Sequence, residues 1–199
     1  MALSAEYDVP TWNQIYSMLV RQAGRLNECA FKPDLIVGIC RGGWIPARVL
    51  SDLLGNPNLA NVRVESYIGI GKTKEPTLTQ GVSAEVKGKK VLAVDEVADS
   101  GKSLKLVISH LRDRGAFEIK IATLYFKPQS VVKPDFYEKE TKNWIIFPWD
   151  TKEVLQEIYR THKNDAGALQ KEAKKLSAAG VPKKLISLFL KAPNEASSC

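Results

Sequence analysis

The chain has 199 residues, 44% hydrophobic and 26% charged, enough for one sizeable domain plus an appendage, and no apolar run approaches the roughly 20 residues of a membrane span. Its formal charge is +7, with nine Lys/Arg against five Asp/Glu in residues 151–199. No arginine run or aromatic-interleaved basic stripe accompanies that excess, so an anionic substrate and a solvated helical face are expected, and no nucleic acid. Cys29, Cys40 and Cys199 lack Cys-x-x-Cys spacing and read as reduced thiols of a cytoplasmic protein, and only His110 and His162 are present, so neither a Ser-His or Cys-His pair nor a histidine metal cluster is expected.

Nothing at the N-terminus has the basic-then-apolar order of a signal peptide. Thr11 and Gln14 have the spacing of a capping box, and Trp12, Ile15, Leu19 and Leu26 recur at helical spacing, which predicts a helix with one buried face. Lys32-Pro33 ends it, and the apolar run at 34–39 predicts a strand. Cys40-Arg41-Gly42-Gly43 leads from that strand into a helix through Leu54. Two glycines let several N–H groups converge on one anion, and Arg41 adds positive charge; a plain βα turn with a surface arginine fits equally. Residues 62–68 alternate like a strand with one wet face, 69–76 read as a mobile loop, and 77–84 as a returning strand.

The stretch at 91–104 is the most informative. Val91 to Val94 predict a short strand buried on both faces, ending at the carboxylates of Asp95 and Glu96. Ala98-Asp99-Ser100-Gly101-Lys102-Ser103 then forms a hydroxyl-rich turn opening a helix. Free N–H groups and the helix dipole favour a phosphate there, and Gly101 allows close backbone approach. A phosphorylated sugar fits, with its diol on the acids and its phosphate in the turn. A nucleotide P-loop does not, because Glu96 stands where that pattern needs glycine. Leu104, Val107, Ile108 and Leu111 continue as a helix ending near Gly115, and 119–126 is another strand. Alternating strands and helices imply an α/β fold with a parallel sheet and helices on both faces, whose ligands gather at the carboxyl ends of the strands.

The order of apolar strand, two acids, spacer and Asp-Ser-Gly-Lys-Ser resembles the PRPP-binding signature of type I phosphoribosyltransferases. By that resemblance Asp95 and Glu96 hold the ribose hydroxyls of PRPP and reach Mg²⁺ through substrate or water. Ala98 to Ser103 hold the 5-phosphate, and Asp99 handles a proton near the purine imidazole ring. Serines replace the threonines frequent at positions 100 and 103, and Glu96 replaces a shorter aspartate. Arg41, Gly42 and Gly43 match the pyrophosphate loop, where an unusual peptide geometry often occurs. Ser66 and Tyr67 match the opening of a loop that closes over the reacting centre, and Lys72 and Lys74 lie in it.

The segments 123–128 and 142–150 resemble 6-oxopurine phosphoribosyltransferases, especially the short xanthine-guanine kind and archaeal relatives. Lys127 matches the lysine that donates to the 6-oxo group, Trp144 the aromatic that stacks on the purine, and Ile145 the residue whose backbone carbonyl reaches the base edge; Trp149 reads as packing. An ammonium only donates, so it favours a carbonyl over an amino group.

The resemblance implies a phosphoribosyltransferase domain over 1–150, with a core at about 34–127 and a small hood from the N-terminal segment and about 128–150. Residues 151–199 form a helical C-terminal extension, with one helix around Val154 to Tyr159 and another around Leu185 to Phe189. The implied activity is purine salvage from PRPP with Mg²⁺, in a homodimer. An archaeal-type adenine enzyme whose extension covers the base pocket is the first alternative. A PRPP-sensing regulator that binds nucleic acid is the second; the recognition helix or basic stripe it requires is not found.

Overall fold

The computed structural model describes residues 6–69 and 72–191, with the side chains of 66–69 and 72–74 outside that description. In chain order the elements are β1 (Tyr7–Asp8), α1 (Trp12–Glu28), β2 (Leu35–Cys40), α2 (Trp44–Leu53), β3 (Leu59–Gly69), β4 (Lys72–Gln80) and β5 (Lys90–Ala98). They continue with α3 (Lys102–Asp113), β6 (Glu118–Phe126), β7 (Lys139–Glu140), β8 (Trp144–Ile145), α4 (Thr151–His162), α5 (Ala166–Ala179) and α6 (Lys183–Phe189). The described residues fall into two compact units, one of 13–68 and 72–142, the other of 6–12, 69 and 143–191.

The first unit is built on a six-stranded sheet of order β4-β3-β2-β5-β6-β7. β2 pairs in parallel with β3 and β5, and β6 with β5 and β7. Val37, Ile39, Val91 and Ala93 face one way and bury themselves with Leu104, Val107 and Leu111 of α3. Gly38 faces the other way, where an added Cβ would lie 2.9 Å from the Ala47 Cβ and 3.1 Å from the Trp44 Cα. α2 therefore sits directly on the sheet there, and helices cover both faces, as parallel strands require.

Four expectations need correction. β5 does not stop at the acids: it runs through them to Ala98, with Val97 and Ala98 paired to Tyr125 and Phe126. Residues 72–76 are strand, not loop, because β4 is an edge strand; Thr73, Thr77 and Thr79 favour that geometry and Pro76 is tolerated at an edge. β4 ends at Gln80, short of the 84 expected. Trp12 opens α1 on its exposed side, at 55% exposure, while Ile15, Leu19 and Leu26 are buried as the spacing predicts.

In the second unit β1 and β8 pair in parallel, Tyr7 opposite Trp144 and Asp8 opposite Ile145. Ile146, Val154, Leu155, Ile158, Leu176 and Val181 form its core, against which Tyr7, Trp144 and α6 residues pack. The extension has three helices where two were expected. α5 buries only Glu172 and Leu176, so its sequence has little apolar rhythm; its caps are clear, with Asp165 Oδ1 accepting from the Ala168 N–H at 2.9 Å and Gly180 at φ +107°. Trp149 is a packing residue, stacked on Phe147 at 4.8 Å and tilted against Trp12 at 5.5 Å. Among the described residues, no helix is long and apolar enough to cross a membrane.

Candidate active site

The carboxyl ends of β2, β5 and β6 bring three predicted segments together. Cys40-Arg41 is a cis peptide, and Arg41, exposed, leads through Gly42 into Gly43 at the start of α2. A Cβ on Gly43 would lie 2.5 Å from the Val94 carbonyl oxygen and 2.7 Å from the Asp95 Cα, so the turn rests against the backbone of β5. A Cβ on Gly42 would overlap the Glu96 carboxylate. The glycine turn and the acid pair are thus immediate neighbours, and at Gly43, where the close atoms are backbone, only glycine permits the approach.

The two acids differ in environment. Asp95 Oδ1 accepts from the Glu96 N–H at 3.0 Å. Burial, and then the neighbouring Glu96 charge, push the Asp95 carboxyl well above the usual carboxylate range. Glu96 Oε2 is buried and has no hydrogen-bond partner among the described residues. A buried carboxylate oxygen left open is costly unless a cation or hydroxyl donor meets it. The described residues contain no cluster of three or more His, Cys, Asp or Glu able to hold a metal. Asp95 and Glu96 are the residues that could hold a divalent ion at this place, with Glu96 Oε2 open to it.

Beyond Ala98, the chain turns through Asp99 and Ser100, both exposed, to Gly101 at φ +74°, and α3 begins at Lys102 and Ser103. The segment after β6 clamps this turn. The Lys127 N–H donates to the Ala98 carbonyl and the Val131 N–H to the Ser100 carbonyl, each at 3.0 Å. Gly101 lies so close to Ser130 and Val132 that a Cβ there would be 2.7 Å from the Val132 N. Lys127, 7% exposed, reaches Asp99 Oδ1 with its Nζ at 3.3 Å, and Gln129 Nε2 donates to the same oxygen at 3.0 Å. Lys102 pairs with Glu75 of β4.

Of the predicted residues, Arg41 to Gly43, Asp95, Glu96, Ala98 to Ser103 and Lys127 converge in the first unit. Trp144, half-buried, and Ile145, buried, lie on β8 in the second. Ser66 and Tyr67 fall on β3, and their side chains, like those of Lys72 and Lys74, lie outside the described residues. Gln129, Ser130 and Glu75 were missed by the sequence reading. For Gln129 and Ser130 the available signal was a polar pair directly after Lys127-Pro128; for Glu75 there was none.

The phosphoribosyl transferase domain family matches residues 11–155, and the chain belongs to it. It is an enzyme of the transferase class on the type I fold. It is 33% identical over 151 residues to the xanthine-guanine phosphoribosyltransferase of Gluconobacter oxydans, covering 74% of this chain and 87% of that protein. Against the protein of the same name from Cereibacter sphaeroides it is 35% identical, covering 75% and 90%. The solved purine phosphoribosyltransferase of Pyrococcus horikoshii is 42% identical with a TM-score of 0.66, covering 72% of this chain and 93% of that one.

Proposed function

We propose that the enzyme transfers ribose 5-phosphate from PRPP to N9 of a 6-oxopurine, guanine, hypoxanthine or xanthine, releasing pyrophosphate. The observation that carries this reading is Lys127, nearly buried, 3.3 Å from Asp99 at the phosphate turn. Its ammonium can donate to an exocyclic oxygen but cannot accept from an amino group, which favours oxopurines over adenine. Asp99, held by Lys127 and Gln129, is the group that handles the purine proton.

Asp95 and Glu96 take the ribose diol, Ala98 to Ser103 take the 5-phosphate, and Arg41, Gly42 and Gly43 take the pyrophosphate. These roles are supported by the contact of Gly42 with Glu96 and by the helix start at Gly101. Trp144 stacks on the base and the Ile145 carbonyl meets its edge, roles implied by the resemblance of 142–150 to the 6-oxopurine enzymes. Ser66 and Tyr67, expected in a loop but lying in the last part of β3, lead toward the segment that closes over the reacting centre. Mg²⁺ on the pyrophosphate, with Asp95 and Glu96 reaching it through substrate or water, supplies charge neutralisation for the leaving group. The enzyme works in the cytoplasm as a homodimer, and sedimentation velocity checks the dimer.

Lys127→Ala tests the base assignment. It is expected to raise the oxopurine KM at least about tenfold, by loss of one charged hydrogen bond, with the PRPP KM nearly unchanged. An unchanged oxopurine KM would contradict it.

A further inference from the structure

The family match ends at residue 155, so most of the helical extension is outside it. The extension nevertheless holds the strand that carries Trp144. β1 and β8 have two residues each, and a ladder that short has little stability of its own. Its backbone bonds run from the Trp144 N–H to the Glu6 carbonyl at 3.0 Å and from the Ile146 N–H to the Asp8 carbonyl at 2.9 Å. The side-chain support comes from α5. Tyr7, directly opposite Trp144 in the register, donates its O–H to Glu172 Oε2 at 2.8 Å. Glu172 is only 8% exposed, and Lys175 donates to its other oxygen at 2.7 Å.

A carboxylate is a poor choice for packing alone. On the buried side of α5, which Glu172 shares only with Leu176, an apolar residue would avoid the desolvation cost. What a hydrogen bond adds is direction: it fixes Tyr7 along the strand, where apolar contact alone tolerates sliding. Burial, and then the Glu172 hydrogen bond and charge, push the Tyr7 phenol up, so it stays protonated and remains a donor. Burial pushes Glu172 the other way from its partners, but the bonds from Lys175 and Tyr7 outweigh it and hold the carboxyl below its ordinary value. Donor and acceptor therefore keep their roles.

We propose that Glu172 is a positioning residue for base recognition: through Tyr7 it sets the register of the β1–β8 pair and so the orientation of the Trp144 ring. The C-terminal helices are then part of the apparatus that binds the purine, beyond the family domain. This rests on the assignment of Trp144 to the base.

Steady-state kinetics of the full chain with PRPP, Mg²⁺ and guanine test it, using Tyr7→Phe, Glu172→Leu, Glu172→Gln and Trp144→Ala. Tyr7→Phe keeps the ring and loses only the donor; Glu172→Gln keeps an acceptor. Misplacing a contact by a fraction of an ångström raises the guanine KM by about tenfold in Tyr7→Phe and Glu172→Leu. The PRPP KM stays within about twofold, and Glu172→Gln returns most of the loss. If Trp144→Ala raises the guanine KM while Tyr7→Phe and Glu172→Leu leave it unchanged, the proposal fails and the base assignment stands. If Trp144→Ala leaves it unchanged, the base assignment itself fails. Equal rises in both KM values for Tyr7→Phe would reduce Glu172 to general stability and overturn the positioning role.

Discussion

Gly42 and Gly43 are adjacent, yet a methyl group at each would be resisted by different atoms. At Gly43 the obstacles are the Val94 carbonyl oxygen and the Asp95 Cα, which are backbone and cannot turn aside. Gly43→Ala is therefore expected to cost about 1–3 kcal/mol of stability, read from the urea midpoint. At Gly42 the obstacle is the Glu96 carboxylate, which can rotate away. Gly42→Ala should keep its midpoint and raise the PRPP KM instead. Asp99 gives a third single-residue test. It is half exposed and held only by side chains, so Asp99→Ala should lower kcat by about 10²–10⁴-fold, with little change in PRPP KM or in melting temperature. Unchanged turnover would remove Asp99 from the chemistry.

Element by element, what the sequence revealed depended on how local the signal was. β2, β5 and β6 were legible because strands buried on both faces read as apolar runs. The acid pair, the turn at Asp99 and the glycines at 42 and 43 were legible because each has few alternative uses in that order. The passage of β5 through Asp95 and Glu96 was not, because the ladder to β6 overrides the polarity of the acids. The first half of β4 was hidden because its residues are polar and follow glycines, which reads as a loop, and α5 because Ala and Lys fill a helix without marking a face. Gln129 was marked only by its polar place after Lys127-Pro128, and its partner Asp99 lies thirty positions earlier, which no local pattern reveals.

A pH response belongs to this scale as well. His110 of α3 accepts the Val82 N–H at 3.0 Å just after β4, which requires the neutral ring. Burial, and then Arg114, hold its pKa below the usual histidine value, against a smaller opposing effect of Asp113. A histidine depressed in the folded state adds stability that is full above its unfolded pKa, near 6.5, and is lost as pH falls through the lower folded value. His110→Gln should therefore flatten the decline of the melting temperature between about pH 6.5 and 5 relative to wild type. Parallel curves for the two proteins would exclude this role.

Taken whole, the molecule divides its work between two units. The first presents acids, glycines, the glycine-opened start of α3 and Lys127 at one end of a parallel sheet. The second ties the N-terminal strand and Trp144 to helices that begin near the end of the family domain. Leu176, fully buried among Ile146, Leu155 and Val181, is central to that second core. Leu176→Ala should cost about 2–5 kcal/mol in urea unfolding, and a change near zero would mean that the extension does not pack as described.

On the proposed function, one enzyme joins PRPP to oxopurines through Lys127 and Asp99. The most direct measurement is pyrophosphate release with PRPP and Mg²⁺, compared as kcat/KM across guanine, hypoxanthine, xanthine and adenine. The prediction is release with at least one oxopurine, at an efficiency exceeding that with adenine by roughly 10³-fold or more, since a lysine donor has nothing to pair with on an amino group. Preference for adenine, or tight PRPP binding with no release from any base, would contradict it.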